Sequence, residues 1–186
     1  MNRQIISQVL GNLTQHKDFG DWWLSNPVEI PFLNQQKMEF TFMGYEPPED
    51  AAFVPDADEA VRNFLHLTPQ YKTELAPLAH QAFIEFYENV DWDDRDKIME
   101  AITAKNDIWH FIHPVSILVS RRHRRDKYIY ILLECNCDWD DEHGIHFTFR
   151  QGKKLTRIGA YDGHLTEADA YDKPDEEDEL LSKFND

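Results

Sequence analysis

The sequence predicts an α+β protein: an antiparallel β-meander in the C-terminal half, packed with several N-terminal and central helices, plus a small N-terminal hairpin. Three observations predict it. Apolar residues recur mostly with helical spacing up to about residue 107 and with strand alternation beyond it. The links between the later strands are short, which favours antiparallel neighbours. Twelve Phe, seven Tyr and five Trp in 186 residues supply a large core.

The elements follow in order. Ile5, Ile6, Val9, Leu10 and Leu13 are spaced as one face of a helix over residues 3–15, which Gly11 weakens without forbidding. Val28, Ile30 and Phe32 then alternate as one strand and Met38, Phe40 and Phe42 as a second. Asn34-Gln35-Gln36 joins them as a hairpin, and Pro31 suggests a sheet edge. A loop broken by Pro47-Pro48 leads to Asp56 and Glu59, read as a capping-box variant opening a short helix through Val61, Phe64 and Leu65. Thr68-Pro69 signals the next start, with Thr as cap and Pro at the first helical position. From there Tyr71, Leu75, Leu78, Ala82, Phe86 and Val90 trace an apolar stripe, with Pro77 predicted to kink the helix or mark its true start. Asp91 and Asp94 open one more helix carrying Ile98, Met99 and Ile102. Strands are predicted over 115–119, 127–134, 143–150 and 154–160, with helices covering one face of their sheet. One domain over 1–168 is expected, followed by an acidic, flexible tail over 169–186, whose Leu180, Leu181 and Phe184 are able to pin its end to the body or to a partner.

The formal net charge of −16 narrows the partners. Free nucleic acid and anionic membranes are repelled at long range, whereas a basic protein is attracted. No stretch approaches the ~20 apolar residues of a membrane-spanning helix. Residues 1–8 lack the apolar core and cleavage site of a signal peptide. The two cysteines, Cys135 and Cys137, fall on one face of a strand, where a bond between them would close an awkward ring. Reduced thiols and a cytoplasmic location are therefore expected.

Chemistry is to be sought in residues 109–169. The basic run Arg121, Arg122, His123, Arg124, Arg125 is the most anomalous feature of so acidic a chain. It suits capture of a phosphate or an acidic partner, or internal pairing with the loop 138–142 or the tail. Trp139 lies in a short polar loop, either tucked under the sheet or offered to a partner as an anchor. His110, His113, Cys135, Cys137, His143, His146, Asp162 and His164 raise the question of metal. However, His143 and His146 are three apart on a predicted strand and face opposite ways, and neither a CxxC pair nor an HExxH helix is present. No metal or cofactor is therefore expected. Walker, Rossmann and nucleophile-elbow patterns are missing too, so the reading leans away from an enzyme.

The stretch Cys137-Asp138-Trp139-Asp140-Asp141-Glu142-His143-Gly144, then Phe149-Arg150-Gln151-Gly152 and Ile158-Gly159-Ala160-Tyr161-Asp162-Gly163, resembles a bacterial family of uncharacterised domains. That family shares C-x-W-x-x-E-H-G, F-R-x-G and I-G-x-x-D-G. The resemblance implies a small cytoplasmic α+β protein and, for some members, a role in neutralising toxins; it carries no catalytic residue with it. Physically, Gly144, Gly152 and Asp162-Gly163 permit sharp turns at strand ends, and Glu142 beside His143 would fix a loop.

Three readings follow. The first is a non-enzymatic module of the immunity or antidote type that binds a basic toxin or effector, with Arg121, Arg122, Arg124, Arg125 and Trp139 as contact residues. The alternative is a small-ligand or metal-binding protein or enzyme with a site near Glu142, His143, His146 and His164. A third is a structural or regulatory subunit that forms a homodimer through the exposed sheet face.

Overall fold

The computed structural model describes residues 4–89 and 101–182. Eight strands form one sheet: β1 (Gln4–Ser7), β2 (Gly11–Gln15), β3 (Trp23–Leu24), β6 (Phe40–Phe42), β7 (Ile112–Arg121), β8 (Ile129–Cys137), β9 (Asp140–Arg150) and β10 (Lys154–Gly159), in the order β1-β2-β3-β6-β7-β8-β9-β10. Every pairing in it is antiparallel except β6–β7, which is parallel. A separate two-stranded sheet joins β4 (Val28–Ile30) to β5 (Gln36–Met38). The helices are α1 (Phe53–Leu65), α2 (Gln70–Glu88) and two short ones, α3 (Glu167–Ala170) and α4 (Glu179–Ser182).

The α+β class and the four-stranded meander agree with the sequence. Ile117, Val119, Ile131, Leu133, Cys135, Ile145, Phe147 and Phe149 turn to one face and form the main core with α1 and α2. Leu118, Tyr130 and Leu132 turn to the other, where Met43 and Leu165 pack on them. Trp23 is fully buried, its Nε1–H donating to the Tyr45 carbonyl at 2.9 Å. Trp109 is half-buried and donates to the Lys72 carbonyl at 2.9 Å.

The N-terminal segment differs from expectation. Residues 3–15 were read as a helix, but residues 4–15 form the hairpin β1–β2. Ile5 pairs with Leu13 on one side of the sheet, while Ile6 faces solvent, 66% exposed. The turn is held by Ser7, whose Oγ accepts the Leu10 N–H at 2.8 Å, and by Gly11 at φ +78°. Apolar spacing alone does not report such side-chain-to-backbone bonds.

Other corrections are smaller. The second predicted strand, through Met38, Phe40 and Phe42, breaks at Glu39, so that β5 pairs with β4 while β6 enters the main sheet. The first predicted strand does lie at a sheet edge, since β4 pairs only with β5 among the described residues; Pro31 itself ends β4 and opens a 3-10 turn, Pro31–Leu33. Asp56 is not a cap, because α1 begins at Phe53. The Thr68 side chain makes no cap bond either; its carbonyl accepts the Tyr71 N–H at 3.0 Å. Helix α2 continues through Pro77, and the side it buries is Leu75, Ala76, Ala79 and Phe83, rotated from the predicted stripe. Most of the helix predicted from Asp91 lies outside the described residues; Ile102, at its end, packs on the core.

Residues 165–182 lie back on the second face of the sheet. Buried Asp178 organises them, accepting backbone N–H groups from Ala168 at 2.8 Å and from Leu180 and Leu181 at 3.0 Å each. Leu181 is buried there. Phe184, also considered as a pin, lies outside the described residues.

Candidate functional site

The β7–β8 turn presents the basic run, and most of its charge is answered within the chain. Arg121 meets Asp50 at 2.6 Å and Asp56 at 2.8 Å. Arg122 is buried and holds two carboxylates in fork geometry: Asp169 through Nε and Nη2, each at 2.8 Å, and Asp175 through Nη1 at 2.8 Å and Nη2 at 2.7 Å. Thr166 accepts a further bond from Nη2 at 3.1 Å. Burial works against the charge on Arg122, but the bonds to Asp175 and Asp169 outweigh it and raise the guanidinium above its ordinary pKa. Arg125 reaches Asp175 at 2.6 Å and the Lys173 carbonyl at 2.7 Å. Of the two internal partners weighed from the sequence, the tail takes Arg122 and Arg125; Arg121 instead finds Asp50 and Asp56 at the start of α1. Arg124 and His123 are exposed.

Trp139 is half-buried and packs edge-on against Phe83 of α2, with ring centroids 5.5 Å apart. Asp140, buried beside it, fixes the start of β9 by accepting the N–H groups of Glu142 at 3.1 Å and His143 at 3.0 Å. His143 Nδ1 lies 3.3 Å from the same carboxylate. Asp140 therefore does the ordering that the sequence assigned to the Glu142–His143 pair, and both of those side chains are exposed. Gly144 passes so close to the Cys135 carbonyl that a Cβ there would come within 2.3 Å of its oxygen. His164 is exposed and lies 3.3 Å from Asp162.

His146 is placed differently. It is fully buried on the second face, between Glu134 of β8 and Gly159 of β10 in register. The Tyr161 ring meets it edge-on at 5.8 Å. Neither imidazole nitrogen has a well-formed hydrogen bond, although the backbone of Gly159 and Ala160 is adjacent. Burial, and then the Arg157 charge, push its pKa down to about 4, so the ring is neutral at pH 7. Glu134 accepts hydrogen bonds from Ser116 and Tyr161. Arg157 pairs with Asp162 and, at 2.7 Å, with Glu167. Among the described residues no three His, Cys, Asp or Glu side chains converge to hold a metal ion.

Between these groups runs a groove of about 680 Å³ that no sequence signal announced. It is lined by the consecutive run Arg157 to Asp162 and, from α2, by Leu78, Ala82, Glu85 and Phe86. Trp139 and His143 also line it, as do Tyr171, Glu179 and Leu180 of the C-terminal segment. Of the stripe predicted on α2, Leu78, Ala82 and Phe86 border this groove, while Leu75 is buried in the core and Tyr71 packs on it. A second, more open hollow of about 840 Å³ lies against Arg121, lined by Asp21, Glu46, Glu49 and Asp50 with His123 and Lys127.

No helix among the described residues is long and apolar enough to cross a membrane. No curated protein and no solved structure matches the chain. A family model does match it, over residues 9–165, from the turn of the N-terminal hairpin to the residue before the Arg122-bound segment. The chain belongs to that family, DUF6985, a domain of unknown function.

Proposed function

We propose that the protein is a non-enzymatic binding module of the immunity or antidote type, which engages a basic protein partner, a toxin or effector, through its acidic surface. The observation that carries this reading is the inward use of arginine. Arg121, Arg122, Arg125 and Arg157 each meet carboxylates of their own chain. Each pair neutralises a carboxylate together with its arginine, so the overall charge of −16 is carried by the remaining carboxylates and the outer field is acidic. That field accelerates encounter with a basic surface and disfavours free nucleic acid, anionic membranes and a second copy of the same chain. Arg124, exposed on the β7–β8 turn, and Trp139, on the groove wall, remain available for contact.

The test is a pull-down from the cells that express the protein, washed with rising salt and read by mass spectrometry. A single stoichiometric basic partner, released as salt rises, supports the reading. A partner whose retention ignores salt removes the acidic surface as its basis.

A small-ligand site near Glu142, His143, His146 and His164 is the second reading, favoured by one observation: His146 is buried, neutral and poorly hydrogen-bonded. Titration of the protein with metabolite mixtures while following the His146 ring resonances tests it; a His143→Ala variant that folds and responds unchanged removes His143 from that site.

A further inference from the structure

We propose that residues 166–182 are a displaceable strap, which occupies in cis a face built to hold an acidic peptide segment of a partner through Arg122, Arg125 and Arg157.

The family model stops at residue 165, so the strap is appended to the family domain. An exposed link, residues 160–164, leads to it from β10. Of its apolar side chains only Ala168 and Leu181 are buried. What holds it to the sheet is charge. Arg122 takes Asp169 and Asp175, Arg125 shares Asp175, and Arg157 takes Glu167. The three arginines belong to the family domain and these three carboxylates to the strap. The domain thus presents a receptor for the spacing Glu-x-Asp-x5-Asp. Clustered guanidiniums that grip carboxylates in fork geometry are a general means of holding acidic motifs. Asp169, Asp175 and Glu167 remain partly exposed, so a competing segment can reach the arginines that hold them.

The strap does not complete the face it covers. Across the second face Leu118, Leu132, Thr148 and Arg157 stand in one row. Glu167 meets Arg157 there, yet the fully buried Thr148 hydroxyl beside it and Arg157 Nε have no hydrogen-bond partner among the described residues. Buried polar groups are nearly always paired, so the strap fits this row less well than a dedicated ligand does. Swinging the strap away also removes eight carboxylates and only one lysine, which leaves the arginines as the dominant local charge.

The test uses the full chain and a synthetic peptide of residues 166–182, followed by calorimetry and amide exchange. Because the resident strap competes, the free peptide should bind the variant Asp169→Asn/Asp175→Asn at least about tenfold more tightly than the native chain. Glu167→Gln, a milder weakening of the strap, should gain about threefold. On the native chain, bound peptide should speed amide exchange over residues 166–182. A peptide that itself carries Glu167→Gln, Asp169→Asn and Asp175→Asn should bind the weakened chain at least about tenfold less well. Arg125→Gln, placed in the weakened chain, should lower affinity about threefold with the fold intact, since that side chain is only part-buried. Equal affinity of the native and weakened chains, equal binding of the neutralised peptide, or no binding to the weakened chain overturns the proposal. Inorganic pyrophosphate bound as tightly as the peptide reduces the face to a simple anion site, and overturns the peptide as its occupant.

Discussion

The Asp58 carboxylate on α1 accepts the Gln8 backbone N–H at 2.7 Å and also takes the Ser7 hydroxyl, fastening the N-terminal hairpin to the helix layer. Asp58 is 4% exposed and Ser7 2%, so its loss leaves the Ser7 hydroxyl without that partner in a dry site and frees the Gln8 N–H nearer the surface. Asp58→Ala should cost about 2–3 kcal/mol in urea denaturation. Ser7→Ala should cost less, and the double variant less than the sum, since the two act in one network.

Gly152 is held as firmly by sterics. It adopts φ +68°, and an added Cβ would lie 2.0 Å from the Ala60 carbonyl oxygen in α1. Gly152→Ala must push α1 off β8 or rebuild the turn, and should lower stability by roughly 2 kcal/mol or more. If the melting temperature stays unchanged, the close approach of turn and helix is wrong.

Arg122 fastens the C-terminal segment. Arg122→Met removes the partner of Asp169 and Asp175, which are partly exposed, so a loss of about 2 kcal/mol is expected, below that of a fully buried pair. The effect should be local, with faster amide exchange over residues 165–182 and little change in β7–β9. Acid should loosen the same clasp. Arg122 and then Arg125 hold the Asp175 carboxyl below its ordinary range. Its contribution is present above the unfolded value near 4 and is lost as pH falls through the lower folded value.

His146 gives stability a second pH dependence. Its folded pKa, about 4, lies below the ordinary value of 6.5, so the unfolded chain takes up a proton that the folded one refuses. Stability is full above pH 6.5 and falls by up to about 1.4 kcal/mol per pH unit on going down towards pH 4. Denaturation at pH 7 and pH 5 should show the difference, and His146→Gln should flatten it.

Cys135 and Cys137 are both buried, and burial pushes the Cys137 thiol up to about 12 and the Cys135 thiol higher still. Neither forms thiolate at neutral pH. A thiol reagent should leave the native protein unlabelled over hours and label both residues within seconds in denaturant.

The meander was legible because apolar runs of strand length, such as Ile129 to Leu133 and Ile145 to Phe149, are separated by short links that leave few topologies. The β1–β2 hairpin was not, because Ile5, Val9 and Leu13 satisfy a helical period while the deciding interactions join side chains to backbone: the Ser7 hydroxyl to the nearby Leu10 N–H and the Asp58 carboxylate to the distant Gln8 N–H. At the candidate site, the internal pairing of Arg122 and Arg125 with the tail was among the options the sequence offered. The pairing of Arg121 with Asp50 and Asp56 crosses the chain and leaves no local pattern. Leu78, Ala82 and Phe86 announced an apolar helix side but not that it borders a groove, since that depends on where β10 ends.

The parallel pairing of β6 with β7 sets an order of events during synthesis. β6 ends at Phe42 and β7 begins at Ile112, so the first half of the sheet emerges about seventy residues before the strand that completes it. At roughly 5–20 residues per second that interval lasts on the order of seconds. Throughout it, Phe40 and Phe42 lack the strand they lie against in the finished sheet, and one edge of β6 stays open. The nascent chain is therefore most exposed to aggregation before β7 leaves the ribosome, and a chaperone that recognises apolar extended segments would meet it there.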